Sequence, residues 1–211
     1  MNAIKITNYS KKFNEKILFS DFNCSIKVGE MIALVGPSGC GKSILLNTIG
    51  LIEKLEFGEL YIHDKRAPKI NSKKANIIIR QEISYLFQNF ALIDNFTVEE
   101  NLIMALKYTN NSKEKKVQIV SNALKEVNLI GYEKMKVYEL SGGEQQRVSL
   151  ARSIIKPSSI ILADEPTGSL DSKNRDLVLN ILKKINSMGK TILIVTHDEH
   201  VANECDRIIE L

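Results

Sequence analysis

The stretch Gly36-Pro37-Ser38-Gly39-Cys40-Gly41-Lys42-Ser43 could do chemistry. Glycines at 36 and 41, followed at once by Lys42 and Ser43, have the spacing of a phosphate-binding loop. Residues without a Cβ let backbone N–H groups curl around an anion, and a helix opening there adds a favourable field. Lys42 would reach the β- and γ-phosphates of a nucleotide, and the Ser43 hydroxyl would take Mg²⁺. Ile44 follows directly, a β-branched apolar side chain behind the phosphate-binding residues.

Two further stretches supply partners. In Ile160–Pro166 an apolar run ends in Asp164, a carboxylate for Mg²⁺, and in Glu165, which can orient and deprotonate a water. By itself such an acidic pair would be a solvated turn; beside a phosphate loop it reads as a metal clamp with its base. In Leu140–Arg147, Ser141 and Glu144 form a capping box that starts a helix. Gly142 and Gly143 leave bare N–H groups at its positive end, which makes a second anion site. Two such helix starts, far apart in one sequence, could pair between two copies of the chain.

The elements around these residues must hold them on one edge. Met31–Val35, Ile160–Ala163 and Thr191–Val195 are continuous apolar runs, the pattern of strands buried on both faces of a parallel sheet. Each is followed by polar residues, and ligands sit at the carboxyl ends of strands in open α/β sheets. Phe22, Cys24, Ile26 and Val28 alternate with polar residues, so 22–28 reads as a half-buried strand ending at the Gly29-Glu30 turn. The middle is helical. Thr97 and Glu100 form a capping box, and Val117, Val120, Leu124 and Val127 mark the stripe of a helix from about Ser112, with Gly131 beyond its end. Val148, Ala151 and Ile155 line the helix that Ser141 starts, with Pro157 past its end. Residues 112–116 read as a solvated first turn and 69–74 as a loop, not a nucleic-acid patch.

Length and composition set bounds. A chain of 211 residues suits one domain with a real core. The net charge of +4 permits an acidic partner or membrane surface without arguing for nucleic acid. Cys24, Cys40 and Cys205 have no metal-ligand spacing and read as reduced and cytosolic. No apolar run approaches the roughly 18 residues of a membrane span, so work at a membrane would go through a partner.

Taken together, "GPSGCGKS", "LSGGEQQR", "ILADEP", "SLD" and "TH" resemble the nucleotide-binding subunit of ATP-binding cassette (ABC) transporters, in order and spacing, over essentially the whole chain. The resemblance implies an α/β P-loop NTPase (RecA-like) core with a mostly parallel sheet. It adds an N-terminal antiparallel β-subdomain and an inserted α-helical subdomain. One ABC ATPase domain would fill 1–211, with its catalytic core at about 1–90 and 157–211 and its helical subdomain at about 91–156. It implies a head-to-tail homodimer, each ATP lying between one chain's Lys42 loop and the other's Ser141 helix. By matching, Gln88 is the Q-loop residue at the Mg²⁺ site, Ser169 and Asp171 belong to the dimer-crossing D-loop, and His197 contacts the γ-phosphate. Phe13 aligns with the aromatic that stacks on adenine, with Tyr9 as the nearby alternative. The family usually has Thr where Ile44 stands, so a hydroxyl near the α-phosphate is lost while the N–H is kept. A transmembrane permease would be the partner, with the chain peripheral on the cytoplasmic face of the plasma membrane. "ADEPTGSLD" and the short length look like the branch serving lipoprotein release, macrolide export and bacteriocin export; export of, or immunity to, a peptide is the favoured reading there. An ABC ATPase of DNA repair or translation would need a long insertion or a second cassette. A nucleotide kinase would have no use for "LSGGEQQR".

Overall fold

A computed structural model describes all 211 residues. Strands β1 (Asn2–Phe13) and β2 (Lys16–Lys27) form a long antiparallel hairpin. With β4 (Phe57–Ile62) and β5 (Lys65–Arg66) they make a four-stranded sheet in the order β2-β1-β4-β5. The second sheet is wholly parallel, in the order β6-β7-β8-β3-β9. Its strands are β3 (Met31–Val35), β6 (Ile83–Leu86), β7 (Ile160–Asp164), β8 (Thr191–Val195) and β9 (Arg207–Glu210).

The apolar runs form the centre of this sheet, and their side chains divide by period two between two cores. Ile161, Ala163, Ile192 and Ile194 face helices α5 (Gly142–Ile155) and α6 (Ser172–Ser187). Ile160, Leu162, Leu193 and Val195 face α1 (Lys42–Ile49) and the antiparallel sheet. Helices α3 (Val98–Ala105) and α4 (Lys113–Glu126) join the first core through Leu102, Val120 and Leu124. The last helix, α7 (Glu199–Asn203), is short. In register, Val195 of β8 lies opposite Leu34 of β3 and Asp164 of β7, so three strands end level. No helix is long and apolar enough to cross a membrane.

Three local expectations need correction. Residues 69–74 are not all loop: Ser72 accepts the Ala75 N–H and caps α2 (Lys73–Gln81), so Lys73 and Lys74 open a helix. Val117 is 37% exposed, and the buried stripe of α4 runs through Val120, Ala123 and Leu124. Val28 is exposed because β2 ends at Lys27, one residue before the turn. Elsewhere the caps fall as read, at Thr97 with Glu100 and at Ser141 with Glu144.

Candidate functional site

A cleft of about 400 Å³ lies at the carboxyl edge of the parallel sheet. Phe13, Ser38, Gly41, Lys42, Ser43, Ile44, Gln88, Asp164 and Glu165 are among its walls. Three strands of the parallel sheet deliver the polar walls, and a fourth brings His197 against Glu165. β3 runs into the 36–41 loop and α1, β6 into Gln88, β7 into Asp164 and Glu165, and β8 into His197. The loop depends on left-handed backbone at Gly39 (φ 74°) and Gly41 (φ 106°). A Cβ at Gly41 would also come within 2.7 Å of the Phe19 ring, so the loop passes where only glycine fits.

The side chains make a connected polar set. Lys42 Nζ donates to the carbonyls of Gly36 at 2.6 Å and Pro37 at 2.9 Å, folded back over its own loop. Ser43 Oγ donates to Asp164 Oδ1 at 3.1 Å. Burial pushes the Asp164 carboxyl above its ordinary range. His197 Nδ1 lies 2.8 Å from Glu165 Oε1, while Glu165 Oε2 is buried without a partner. Glu165 sits at φ 47°, a left-handed conformation that a side chain makes costly. The kink turns its carboxylate out of the strand line towards His197.

These residues fit a hard divalent cation. No trio of His, Cys, Asp or Glu gathers anywhere in the chain. A hydroxyl touching one carboxylate, with a Gln amide on the same cleft, is the donor set of an ion that brings waters and takes its other ligands from phosphates.

The other expected positions lie apart. Ser141, Gly142, Gly143 and Glu144 line no wall of this cleft. Ser141 and Gly142 are exposed at the start of α5. Glu144 is satisfied within the chain, accepting from Ser141 N at 2.8 Å and from the Tyr132 hydroxyl at 2.8 Å. Asp171 caps α6, accepting from Asn174 N at 2.8 Å. Asn174 in turn accepts from Arg147 at 3.2 Å, and a Cβ on Gly143 would come within 2.9 Å of it. The starts of α5 and α6 are therefore locked together in one chain. The two aromatics differ in exposure. Tyr9 is 0% exposed and its hydroxyl bonds Thr48 at 3.1 Å, whereas Phe13 is 59% exposed at the cleft rim.

Two residues escaped the sequence reading. Lys16 lines the cleft and its Nζ donates to the Gly39 carbonyl at 3.2 Å. The signal was a hairpin turn at Asn14-Glu15, which sets Lys16 opposite Phe13; Asn14 takes the left-handed conformation (φ 53°) that such turns favour. Gln146 is buried and donates to the Pro166 carbonyl at 2.7 Å, tying α5 to the turn after β7. Nothing in its spacing distinguishes it from a surface glutamine.

A nucleotide-scale cleft on a parallel sheet, walled by a glycine loop and an Asp-Glu pair, defines a P-loop ATPase cassette. Residues 19–168 match the family model described as ABC transporter, and this chain belongs to that family. It is 37% identical, over its whole length, to the macrolide export ATP-binding/permease protein MacB of Mannheimia succiniciproducens, and spans 33% of that relative. It is 36% identical to the ABC transporter ATP-binding protein YvcR of Bacillus subtilis, covering 99% of this chain and 83% of YvcR. Among solved structures, the dimeric bacterial ABC transporter cassette MJ0796 superposes with a TM-score of 0.89 at 40% identity, covering 99% of this chain and 94% of that one. A dimeric post-hydrolysis state of MJ0796 with ADP and Pi gives 0.87 at 38% identity, with the same coverage.

Proposed function

We propose that this chain binds and hydrolyses ATP and uses the energy to drive a separate transmembrane permease. The observation that carries this is the convergence of Lys42, Ser43, Gln88, Asp164 and Glu165 on one cleft, with His197 held against Glu165. Loop N–H groups at 38–43 and the Lys42 ammonium hold the phosphates, and Phe13 stacks on the base. Ser43, Asp164 and Gln88 would hold Mg²⁺, which would supply positive charge beside the phosphates. Glu165 accepts a proton from the attacking water, and His197 holds Glu165 and meets the γ-phosphate.

One chain does not complete the site, because the open start of α5 lines no wall of the cleft. A head-to-tail pair of chains would place each Ser141 end on the partner's phosphates. That arrangement is supported by the dimeric MJ0796 structures. The chain would divide into a core at about 1–90 and 157–211 and a helical subdomain at about 91–156.

A second cleft, of about 650 Å³, lies between these parts and is lined by Ile79, Ile93, Met104 and Tyr108 among others. It suits an apolar helical segment of the permease. The export names of the relatives, MacB and the probable syringafactin exporter SyfD of Pseudomonas syringae, favour export. Within it we favour a peptide or bacteriocin, with the chain peripheral on the cytoplasmic face of the membrane.

The test is Glu165→Gln. It should still bind ATP, lose nearly all hydrolysis, and run as a dimer on size exclusion with ATP and Mg²⁺. Near-normal turnover would overturn the assignment of the base.

A further inference from the structure

We infer that residues 65–80 form a basic surface that contacts anionic phospholipid headgroups beside the permease cleft. Over this stretch the chain carries Lys65, Arg66, Lys69, Lys73, Lys74 and Arg80 and no acidic residue. Arg66 pairs with Glu59 at 3.0 Å, and Arg80 lies over the Tyr108 ring at 4.1 Å. Lys65, Lys69, Lys73 and Lys74 enter no ion pair.

The segment is not a loose tail. Ala67, Ile70, Ile78 and Ile79 pack against the core beneath the antiparallel sheet, and Ser72 caps α2. The apolar members are turned inward, which fixes the four lysines outward. One apolar residue breaks that pattern. Ile77 is 51% exposed and shares a helix face with Lys73, Lys74 and Arg80 at spacings of three and four. An exposed isoleucine ringed by cations suits an interface where headgroups meet acyl chains.

Position selects the partner. The last turn of α2, through Ile79, Arg80 and Gln81, walls the cleft that we assign to the permease. Lys73 lies seven residues earlier on the same helix, about 10 Å away at 1.5 Å per residue. A chain seated on a membrane protein by that cleft holds these lysines near the leaflet surface. The inward leaflet of a membrane is negative, and each lysine close to it is attracted. This orientation rests on the permease reading of the cleft; the charge and the order of the segment do not.

Co-sedimentation of the full chain with vesicles tests it. Binding is expected to vesicles of phosphatidylcholine mixed with phosphatidylglycerol, not to phosphatidylcholine alone, and should fade with added salt. Replacing Lys65, Lys69, Lys73 and Lys74 by Gln should lower binding about tenfold or more. The same change at Lys113, Lys115 and Lys116, a basic turn on α4 outside the segment, should leave it in place. Basal ATPase activity should be unchanged in both variants, which controls for folding. Excess glycerol phosphate should not displace the chain, because many weak contacts act together.

Equal binding to both vesicle types would overturn the proposal, as would full binding by the quadruple variant. Capture of a nucleic acid with no vesicle binding would also overturn it. The vesicles contain no permease, so the outcome is separable from the reading of the cleft. That reading fails on its own if Ile93→Asp leaves permease capture intact.

Discussion

His197 Nδ1 lies 2.8 Å from Glu165 Oε1 and bridges the ends of two adjacent strands. The contact raises the imidazole above its ordinary 6.5, first through that hydrogen bond and then through the carboxylate's charge. The folded chain thus holds this proton more tightly than the unfolded chain. The stabilisation is complete below about 6.5 and is lost as pH rises through the raised value. His197 is 71% exposed against 16% for Glu165, so solvent screening keeps the contribution small. NMR titration of the nucleotide-free chain should give a His197 pKa above 6.5 that falls back in Glu165→Gln. An identical titration in both would mean the contact is not made in solution.

The separation of Ser141 from the cleft predicts complementation. Ser141→Arg and Lys42→Ala should each be inactive alone. Mixed, they should recover about one working site per heterodimer, since one composite site then escapes both changes. Full inactivity of every mixture, or activity strictly linear in protein concentration, would point to independent monomers.

Ile44 is half-buried on the cleft wall and belongs to neither core cluster. A hydroxyl there would face the ligand and not the packed interior. Ile44→Thr should tighten both ATP and ADP by roughly two- to twelvefold, one net hydrogen bond of about 0.5–1.5 kcal/mol. A contact equal in ground and transition states lowers KM and leaves kcat alone. Unchanged affinity with a lower melting temperature would show instead that Ile44 serves packing.

Lys16 stands between the exposed Phe13 and the phosphate loop. Lys16→Gln keeps a donor for the Gly39 carbonyl but removes the charge. It should weaken ATP and ADP by roughly two- to fivefold, the range of an exposed ion pair, and leave adenosine unaffected. Equal affinity for all three in the variant and the parent would reduce Lys16 to a brace on the loop.

The parallel sheet and its loaded edge were legible because both leave periodic or local marks. Continuous apolar runs of five or so residues, each followed by polar ones, are too short for buried helices and fit strands covered on both sides, and glycine spacing reports a backbone path directly. The caps at Thr97 and Ser141 were equally local. What stayed hidden depends on contacts between distant segments. Val117 fits the helical period of α4 but no partner helix covers it. The burial of Tyr9 follows from Thr48, 39 residues on. Helix α2 went unseen because Lys73 and Lys74 read as loop chemistry until Ser72 is seen capping them. Lys16 reaches the cleft only through the pairing of β1 with β2.

The left-handed kink at Glu165 sets fold and turnover against each other. A side chain held there costs of order 1 kcal/mol that glycine, or to a lesser degree asparagine, would not incur. Relaxing the backbone at this position would make the chain sturdier and, on the reading above, idle. Drift unopposed by a need for turnover would therefore erode Glu165 early, and a relative that kept the loop at 36–43 but carried Gly or Asn here would be a cassette that grips nucleotide without spending it.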